Sequence, residues 1–240
     1  MCGRFAQVIK HDQLQKLERE LRLDHKSEQL HANFNVAPTQ TVGAFVSQDS
    51  GRYLGFFRWG LIPSWSRELP KFELINARSE SLMEKASFRG GLQRRRCLIP
   101  ATGFYEWRKT DRQPFFIQAV SGDPLLMAGL CDAWNGPDGS YLPSLAIITM
   151  DANAHMQSLH HRMPVMFNSE QALDWLDHKN QDPAQMNKLI LEASQQALDI
   201  YPVSKLVNSS RASGPECLEP SGDSAPDEQD PSLFDLMDEI

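Results

Sequence analysis

Apolar side chains recur at helical spacing near the start of the chain and at strand spacing through its middle. Leu14, Leu17 and Leu21 fall on one stripe, which predicts a helix over 11–23 with Asp12 near its start. A loop over 24–34 follows. Residues 41–47 and 52–59 read as two strands joined by the turn Gln48-Asp49-Ser50-Gly51. The stretch 60–65 reads as a loop with Trp65 at its end, 74–76 as a short strand and 79–88 as a helix. Strands are predicted over 97–99, 103–108, 114–119, 124–133 and 144–149. The Asn135-Gly136-Pro137-Asp138-Gly139 run between the last two is a hairpin turn. His160-His161-Arg162-Met163-Pro164 reads as a polar loop entering another strand. Two helices, 169–177 capped by Ser169 and 182–196 opened by Asp182-Pro183, precede a last strand at 201–203.

Helices do not alternate regularly with these strands, and no internal repeat is visible. A parallel βαβ architecture is therefore disfavoured. The expected class is α+β with mostly antiparallel sheets, in one domain over 1–220 followed by a tail over 221–240.

Composition changes this picture in three places. The 240 residues are 41% hydrophobic and 23% charged, as in an ordinary globular domain, and no apolar run approaches a membrane span. The net charge of −7 arises in the tail, whose seven acidic residues have no basic counterpart. Without them 24 acidic residues face 24 basic ones, so net charge neither excludes nor suggests nucleic acid. The four cysteines, Cys2, Cys97, Cys131 and Cys217, lie far apart with no CxxC, which argues against a zinc site and a disulfide framework. With no signal pattern at the N-terminus, the expected location is cytoplasmic.

The candidate chemistry begins at Met1-Cys2-Gly3-Arg4. Cysteine is small enough for the preceding methionine to be removed, which leaves an α-amine and a thiol on one residue. Their ordinary pKa values, about 7.7–8.0 and 8.5, make both nucleophilic near neutrality. Such an aminothiol condenses with an aldehyde to an imine and closes to a thiazolidine. It can also act as an N-terminal nucleophile forming an acyl-enzyme. Asn76-Ala77-Arg78-Ser79-Glu80 sets an amide and a guanidinium beside a helix start, where a cap and a surface ion pair are the plainer reading. Alternation along Gly103-Phe104-Tyr105-Glu106-Trp107 puts Glu106 on the face of Phe104. Desolvation among aromatics would raise its pKa toward acid–base use, against the plainer reading of an exposed strand glutamate. His160 and His161 are adjacent, a poor spacing for two ligands of one metal; one of them suits proton transfer. Arg4, Arg78 and Arg162 are candidates for a phosphate clamp, to which Arg94-Arg95-Arg96 adds unless it is a solvated run. Trp59 and Trp65 read as core, or, for a loop tryptophan, as a base-stacking group.

Taken together, these blocks resemble one family. With Asn35-Val36-Ala37-Pro38, Trp59-Gly60-Leu61-Ile62-Pro63-Ser64-Trp65 and Arg96-Cys97-Leu98-Ile99-Pro100-Ala101, they stand in the order of the SOS response-associated peptidase (SRAP) domain proteins, over about residues 2–220. The resemblance implies a barrel-like β core flanked by helices, and a monomer that binds single-stranded DNA and single/double-strand junctions. It implies that Cys2 captures the abasic-site aldehyde as a thiazolidine crosslink. Asn76 would hydrogen-bond the sugar, Glu106 would handle protons, and His160 would assist ring opening. Gly3, Arg4, Asn35, Arg78 and Arg162 would contact DNA, and Trp65 would wedge against the bases. It also implies peptidase activity, here confined to removing Met1, and no cofactor or metal. Tyr201 and Arg211-Ala212-Ser213 depart from the family pattern, which bears on contacts near the C-terminal edge.

Competing readings are an amidohydrolase or protease with an N-terminal nucleophile, and a non-catalytic reader of modified DNA bases. The acidic tail is expected to be a disordered tether. Its Leu233-Phe234-Asp235-Leu236-Met237 end loosely resembles a peptide that docks on a replicative sliding clamp.

Overall fold

The computed structural model describes residues 2–24, 30–193 and 196–222. The tail, with its expected disorder and clamp-docking peptide, lies outside the described residues, as does Met1.

Five strands close on themselves. They are β3 (Thr41–Gln48), β4 (Gly51–Trp59), β6 (Arg96–Ala101), β9 (Leu125–Asn135) and β10 (Tyr141–Asp151). β4 pairs with β3, β3 with β6, β6 with β9 and β9 with β10. A short parallel contact of Ser144 and Leu145 with Arg58 and Trp59 returns β10 to β4 and completes the barrel. β5 (Asn76–Arg78), β11 (Arg162–Pro164) and β12 (Met166–Phe167) attach to its rim. A second sheet has the order β13-β8-β7-β1-β2 and joins Leu198–Pro202, Pro114–Ala119, Gly103–Trp107, Phe5–Gln7 and Asn33–Val36.

Alternation divides the core. Val42, Ala44, Val46, Cys97, Ile99, Met127, Leu145 and Ile147 belong to one cluster, which also holds Phe5, Phe104 and Ile117 of the second sheet. Their strand neighbours Phe45, Leu98, Ala128, Leu130, Ala146 and Ile148 face the other way. There they meet the apolar sides of α1 (His11–Glu20), α2 (Ala86–Arg94), α4 (Ser169–Trp175) and α5 (Pro183–Leu191). The period of 2 therefore fills the barrel from one face and seats the helices on the other. Gly103 opens β7 because a Cβ there would run into the Ile117 carbonyl oxygen and the Phe116 ring across the strand pair.

The antiparallel α+β class, the flanking helices and the single domain are as expected. Several boundaries move. The expected helix over 79–88 divides into a 3-10 turn at Ser79–Ser81 and α2, which starts later and ends at Arg94. The short strand is Asn76–Arg78, so the candidate residues Asn76 and Arg78 lie within it; Leu74 makes an isolated bridge to Leu61. Part of the expected loop is β2, Asn33–Val36. Asn168, not Ser169, caps α4: its side chain accepts the Gln171 N–H, and Gln171 returns the bond in a capping box. α5 ends at Leu191, short of the expected 196. A one-turn helix, α3 (Ala154–Gln157), lies just before His160.

Candidate active site

Four elements bring the candidate catalytic residues together. β1 pairs antiparallel with β7 through Phe5–Phe104 and Ala6–Gly103, and Tyr105 N–H donates to the Arg4 carbonyl at 2.9 Å. Continuing that pairing carries Gly3 and Cys2 alongside Glu106. β5 lies parallel to β10 with Asn76 beside Ile147, and Asn76 Nδ2 donates to the Cys2 carbonyl at 2.8 Å. His160 follows α3 and precedes β11; its Nδ1 stands 3.2 Å from Glu106 Oε1.

Burial sets the electrostatics of this cluster. Cys2 is 1% exposed and Glu106 4% exposed. Burial pushes the Cys2 thiol far above its ordinary value, with the nearby Glu106 charge adding to the effect, so the sulfur is held as a thiol. Burial raises Glu106 to about 7 and lowers His160 to about 4. A close carboxylate and imidazole would favour an ion pair, but desolvation disfavours both charged forms and prevails here. His160 Nδ1 stands 3.0 Å from the Arg162 backbone nitrogen and 3.1 Å from the Arg162 carbonyl oxygen, so the Arg162 backbone holds this edge of the ring against Glu106. Asn76 Oδ1 is a buried acceptor with no partner among the described residues. An unmet acceptor costs about 1–3 kcal/mol, so this atom is poised to take a donor from a ligand or from the Cys2 amine.

The residues expected to hold DNA separate into two sets. Trp65 is 64% exposed and Arg78 is exposed, both open to a large ligand, and Gly3 is half-buried next to Cys2. Asn35 and Arg162 are buried and engaged within the protein. Asn35 Nδ2 lies within donating distance of the carbonyls of Val207, Ser209 and Ala212 at 3.3, 3.0 and 2.7 Å, so it staples the C-terminal segment to β2. Arg4 Nη1 joins that staple through Asn35 Oδ1 and the Val207 carbonyl. Arg162 grips Glu80, Asp151 and the Thr149 carbonyl. In the Arg94-Arg95-Arg96 run only Arg95 makes an ion pair among the described residues. Arg95 pairs with Asp132, and Arg96 is an internal brace. Trp59 is core, fully buried against Phe5.

Sequence reading did not single out Glu80 or Asp151 as partners of Arg162. Glu80 stood two residues from Arg78 in the same block, but its partner is 82 residues away. A separate crevice of about 260 Å³, lined by Tyr53, Phe57, Arg95, Cys131 and Tyr141, lies toward the other end of β10 and contains none of Cys2, Asn76, Glu106 and His160.

The chain matches the family described as SOS response associated peptidase (SRAP) over residues 1–210. It belongs to that family. A Bacillus subtilis relative named abasic site processing protein YoqW is 38% identical over 225 residues, covering 91% of this chain and 99% of that protein. Abasic site processing protein HMCES of Rattus norvegicus is 31% identical over 271 residues, covering 92% of this chain and 76% of that protein. A crystal structure of a Bacteroides thetaiotaomicron protein shares the fold with a TM-score of 0.76 at 24% identity, covering 92% of this chain and all of that one. In this SRAP chain the blocks that carried the resemblance converge as Cys2, Asn76, Glu106 and His160. No helix among the described residues is long and apolar enough to cross a membrane.

Proposed function

We propose that this chain processes abasic sites in DNA by covalent capture through Cys2. The observation that carries this reading is the convergence of Cys2, Asn76, Glu106 and His160 in one desolvated cluster with an unmet acceptor. Relatives named abasic site processing proteins support the substrate.

The reaction begins once Met1 is removed; release of its own Met1 is the extent of the peptidase activity proposed. The abasic deoxyribose must open from its ring form to the aldehyde. His160, neutral near pH 7, assists by proton exchange with the ring oxygen and hydroxyl. The Cys2 amine then attacks C1′ of the aldehyde, and a C–N bond forms while the carbonyl oxygen takes a proton. Glu106, titrating near 7, supplies that proton and recovers one from nitrogen to give the carbinolamine; it then gives a second proton to the departing hydroxyl, which leaves as water, and takes the second from nitrogen to leave the imine. The thiol adds last. A C–S bond forms at C1′, the sulfur proton passes to the nitrogen, and a thiazolidine results. Because burial keeps the sulfur protonated, the amine acts before the thiol. Asn76 Oδ1 accepts from the sugar hydroxyl or the ring nitrogen.

The DNA reaches this cluster as a single strand or at a junction, with Trp65 stacked on a base and Arg78 on a phosphate. The protein acts as a monomer, and its tail offers a docking peptide to a sliding clamp.

The test is incubation with abasic single-stranded DNA followed by denaturing electrophoresis and intact-mass measurement. A heat-stable adduct on protein lacking Met1 is expected, abolished by Cys2→Ala. Cys2→Ser should yield only an imine trapped by borohydride. A stable adduct in Cys2→Ala, through any other cysteine, would overturn the reading. Release of a peptide product without an adduct would favour the N-terminal-nucleophile protease instead.

A further inference from the structure

We infer that Glu80 and Asp151 are positioning residues that act through Arg162 to fix His160 in the orientation the reaction requires. The inference rests on the abasic-site reading above and adds two residues to it.

The connection is continuous. Arg162 Nη1 and Nη2 meet the two oxygens of Glu80 at 2.6 and 3.0 Å, a bidentate fork. Nη1 also meets Asp151 Oδ1 at 2.6 Å, and Nη2 donates to the Thr149 carbonyl at 2.6 Å. Arg162 also faces Asp151 in the β10–β11 ladder. The residue is thus held by side chain and backbone together. Its backbone nitrogen and carbonyl oxygen in turn lie 3.0 and 3.1 Å from His160 Nδ1. Contact with that nitrogen fixes the plane of the ring and the direction in which Nε2 points.

The carboxylates are well exposed while the guanidinium they grip is 7% exposed. Exposed ion pairs contribute little to stability, so stability alone is a weak account of this arrangement. Its geometric effect is larger, because it sets the frame of the backbone amide under a reacting imidazole. Small displacements at such groups are costly to rate. Competition with DNA is the other consequence of the same contacts, since a phosphate could reach Arg162 only by displacing a carboxylate. The two roles predict different outcomes.

The experiment compares wild type, Glu80→Gln and Asp151→Asn as full-length proteins. DNA dissociation constants come from an uncleaved oligonucleotide, and single-turnover adduct formation is followed at saturating abasic DNA. Nitrogen-detected NMR reads the His160 ring nitrogens in the free protein. Positioning predicts that Glu80→Gln slows adduct formation at saturation by up to about 100-fold. It also predicts that affinity is unchanged or tighter, that the His160 ring-nitrogen shifts move, and that Glu80→Asp restores part of the rate. The pH profile is recorded as well, with Glu106, His161, Lys109, the Cys2 thiol and the N-terminal amine as the other ionisable groups around His160. Tighter DNA binding with an unchanged rate and unchanged ring-nitrogen shifts would show that the carboxylates only compete with phosphate, and would overturn the inference. If Glu80→Gln fails to fold, Asp151→Asn carries the same readouts. Wild-type protein that forms no adduct, with the ring-nitrogen shifts still moved by Glu80→Gln, would defeat the functional reading alone.

Discussion

Arg96 and the Cys2 cluster are both buried polar groups, the first among the helices that cover the barrel and the second on the side of its inner core, and they differ in how their hydrogen bonds are met. Arg96 is 4% exposed. Its Nε donates to the Trp175 carbonyl, Nη1 to those of Leu92 and Gln93, and Nη2 to those of Asp177 and Asn180, at 2.6–2.9 Å. All five N–H groups are used, and the guanidinium lies over the Trp175 ring. The cation ties the end of α2 to the turn after α4 and has nothing left to offer a ligand. At Cys2 the accounting is incomplete. Asn76 Oδ1 has no partner among the described residues, Glu106 is raised and His160 is lowered. Fully met burial braces the fold, whereas burial that leaves an acceptor unmet beside a carboxyl and an imidazole suits chemistry.

The largest test of that contrast is Glu106→Gln. Removing a positioned proton-transfer group is worth about 10²–10⁴-fold in rate, so adduct formation should slow by that range with DNA affinity nearly unchanged. The stability effect has a definite sign. Glu106 is raised from an ordinary 4.5 to about 7, so between those values the folded state binds the extra proton. Wild-type stability from this group is therefore full below about 4.5 and falls as pH rises through 7. Glu106→Gln removes that loss and should be more stable than wild type at pH 8, by at most about 3 kcal/mol, with the gain vanishing near pH 4. Urea titrations at the two pH values would read it. A variant that is slow and equally destabilised at both would make Glu106 a brace like Arg96.

Arg96→Ala should do the reverse. It strands five carbonyls, and each unmet buried group costs about 1–3 kcal/mol before relaxation. We expect a loss of at least about 3 kcal/mol in chemical unfolding, with the folded fraction still forming adduct at the wild-type rate. A normal denaturation midpoint would break the comparison from its structural side.

The sequence carried the site further than it carried the contrast. Alternation along β7 placed Glu106 on the Phe104 face, and that face does turn to the core holding Cys2. Strand periods of 2 likewise predicted the barrel strands, because each strand must bury one side. What alternation cannot show is which distant partner an arginine finds. Arg162 and Asn35 bond far along the chain: Glu80 lies 82 residues from one, and the carbonyls that take the Asn35 amide lie more than 170 residues from the other. Arg96 read as part of a charge run, since its five acceptors are backbone carbonyls with no sequence signature. The helix over 79–88 was misread for a local reason. Its apolar residues fit a helical face, but Ser79–Ser81 forms a 3-10 turn that seats Glu80 on Arg162, and α2 has to start afresh at Ala86.

A smaller effect should come from Trp65, which is 64% exposed on the loop leading to β5. Base–aromatic stacking is worth about 1–3 kcal/mol per base. Trp65→Ala should weaken binding to single strands and junctions by that amount and leave both denaturation and the adduct rate at saturation alone. Fluorescence anisotropy with single-stranded, junction and blunt duplex probes would measure it. Equal binding of all three probes, unchanged by the substitution, would remove the wedge.

The smallest and most selective effect separates two arginines. Asn76 and Arg78 are two apart on β5 and share a side, while Ala77 between them faces the helix-covered core. A phosphate on Arg78 would therefore lie close to the sugar held at Asn76. Each phosphate contact on a single strand contributes about 0.7 to the slope of log affinity against log salt. Arg78→Ala should lower that slope by about 0.7 and weaken binding modestly at physiological salt. Arg162→Ala should leave the slope unchanged, because its Nη groups already bond Glu80, Asp151 and the Thr149 carbonyl, and its Nε, without a partner among the described residues, is buried. Titrations from low to moderate salt on one abasic-free oligonucleotide compare the two directly. A slope that falls for Arg162→Ala would mean that phosphate displaces a carboxylate on binding, and the division between met and unmet groups would then have to be drawn in the complex, not in the free protein.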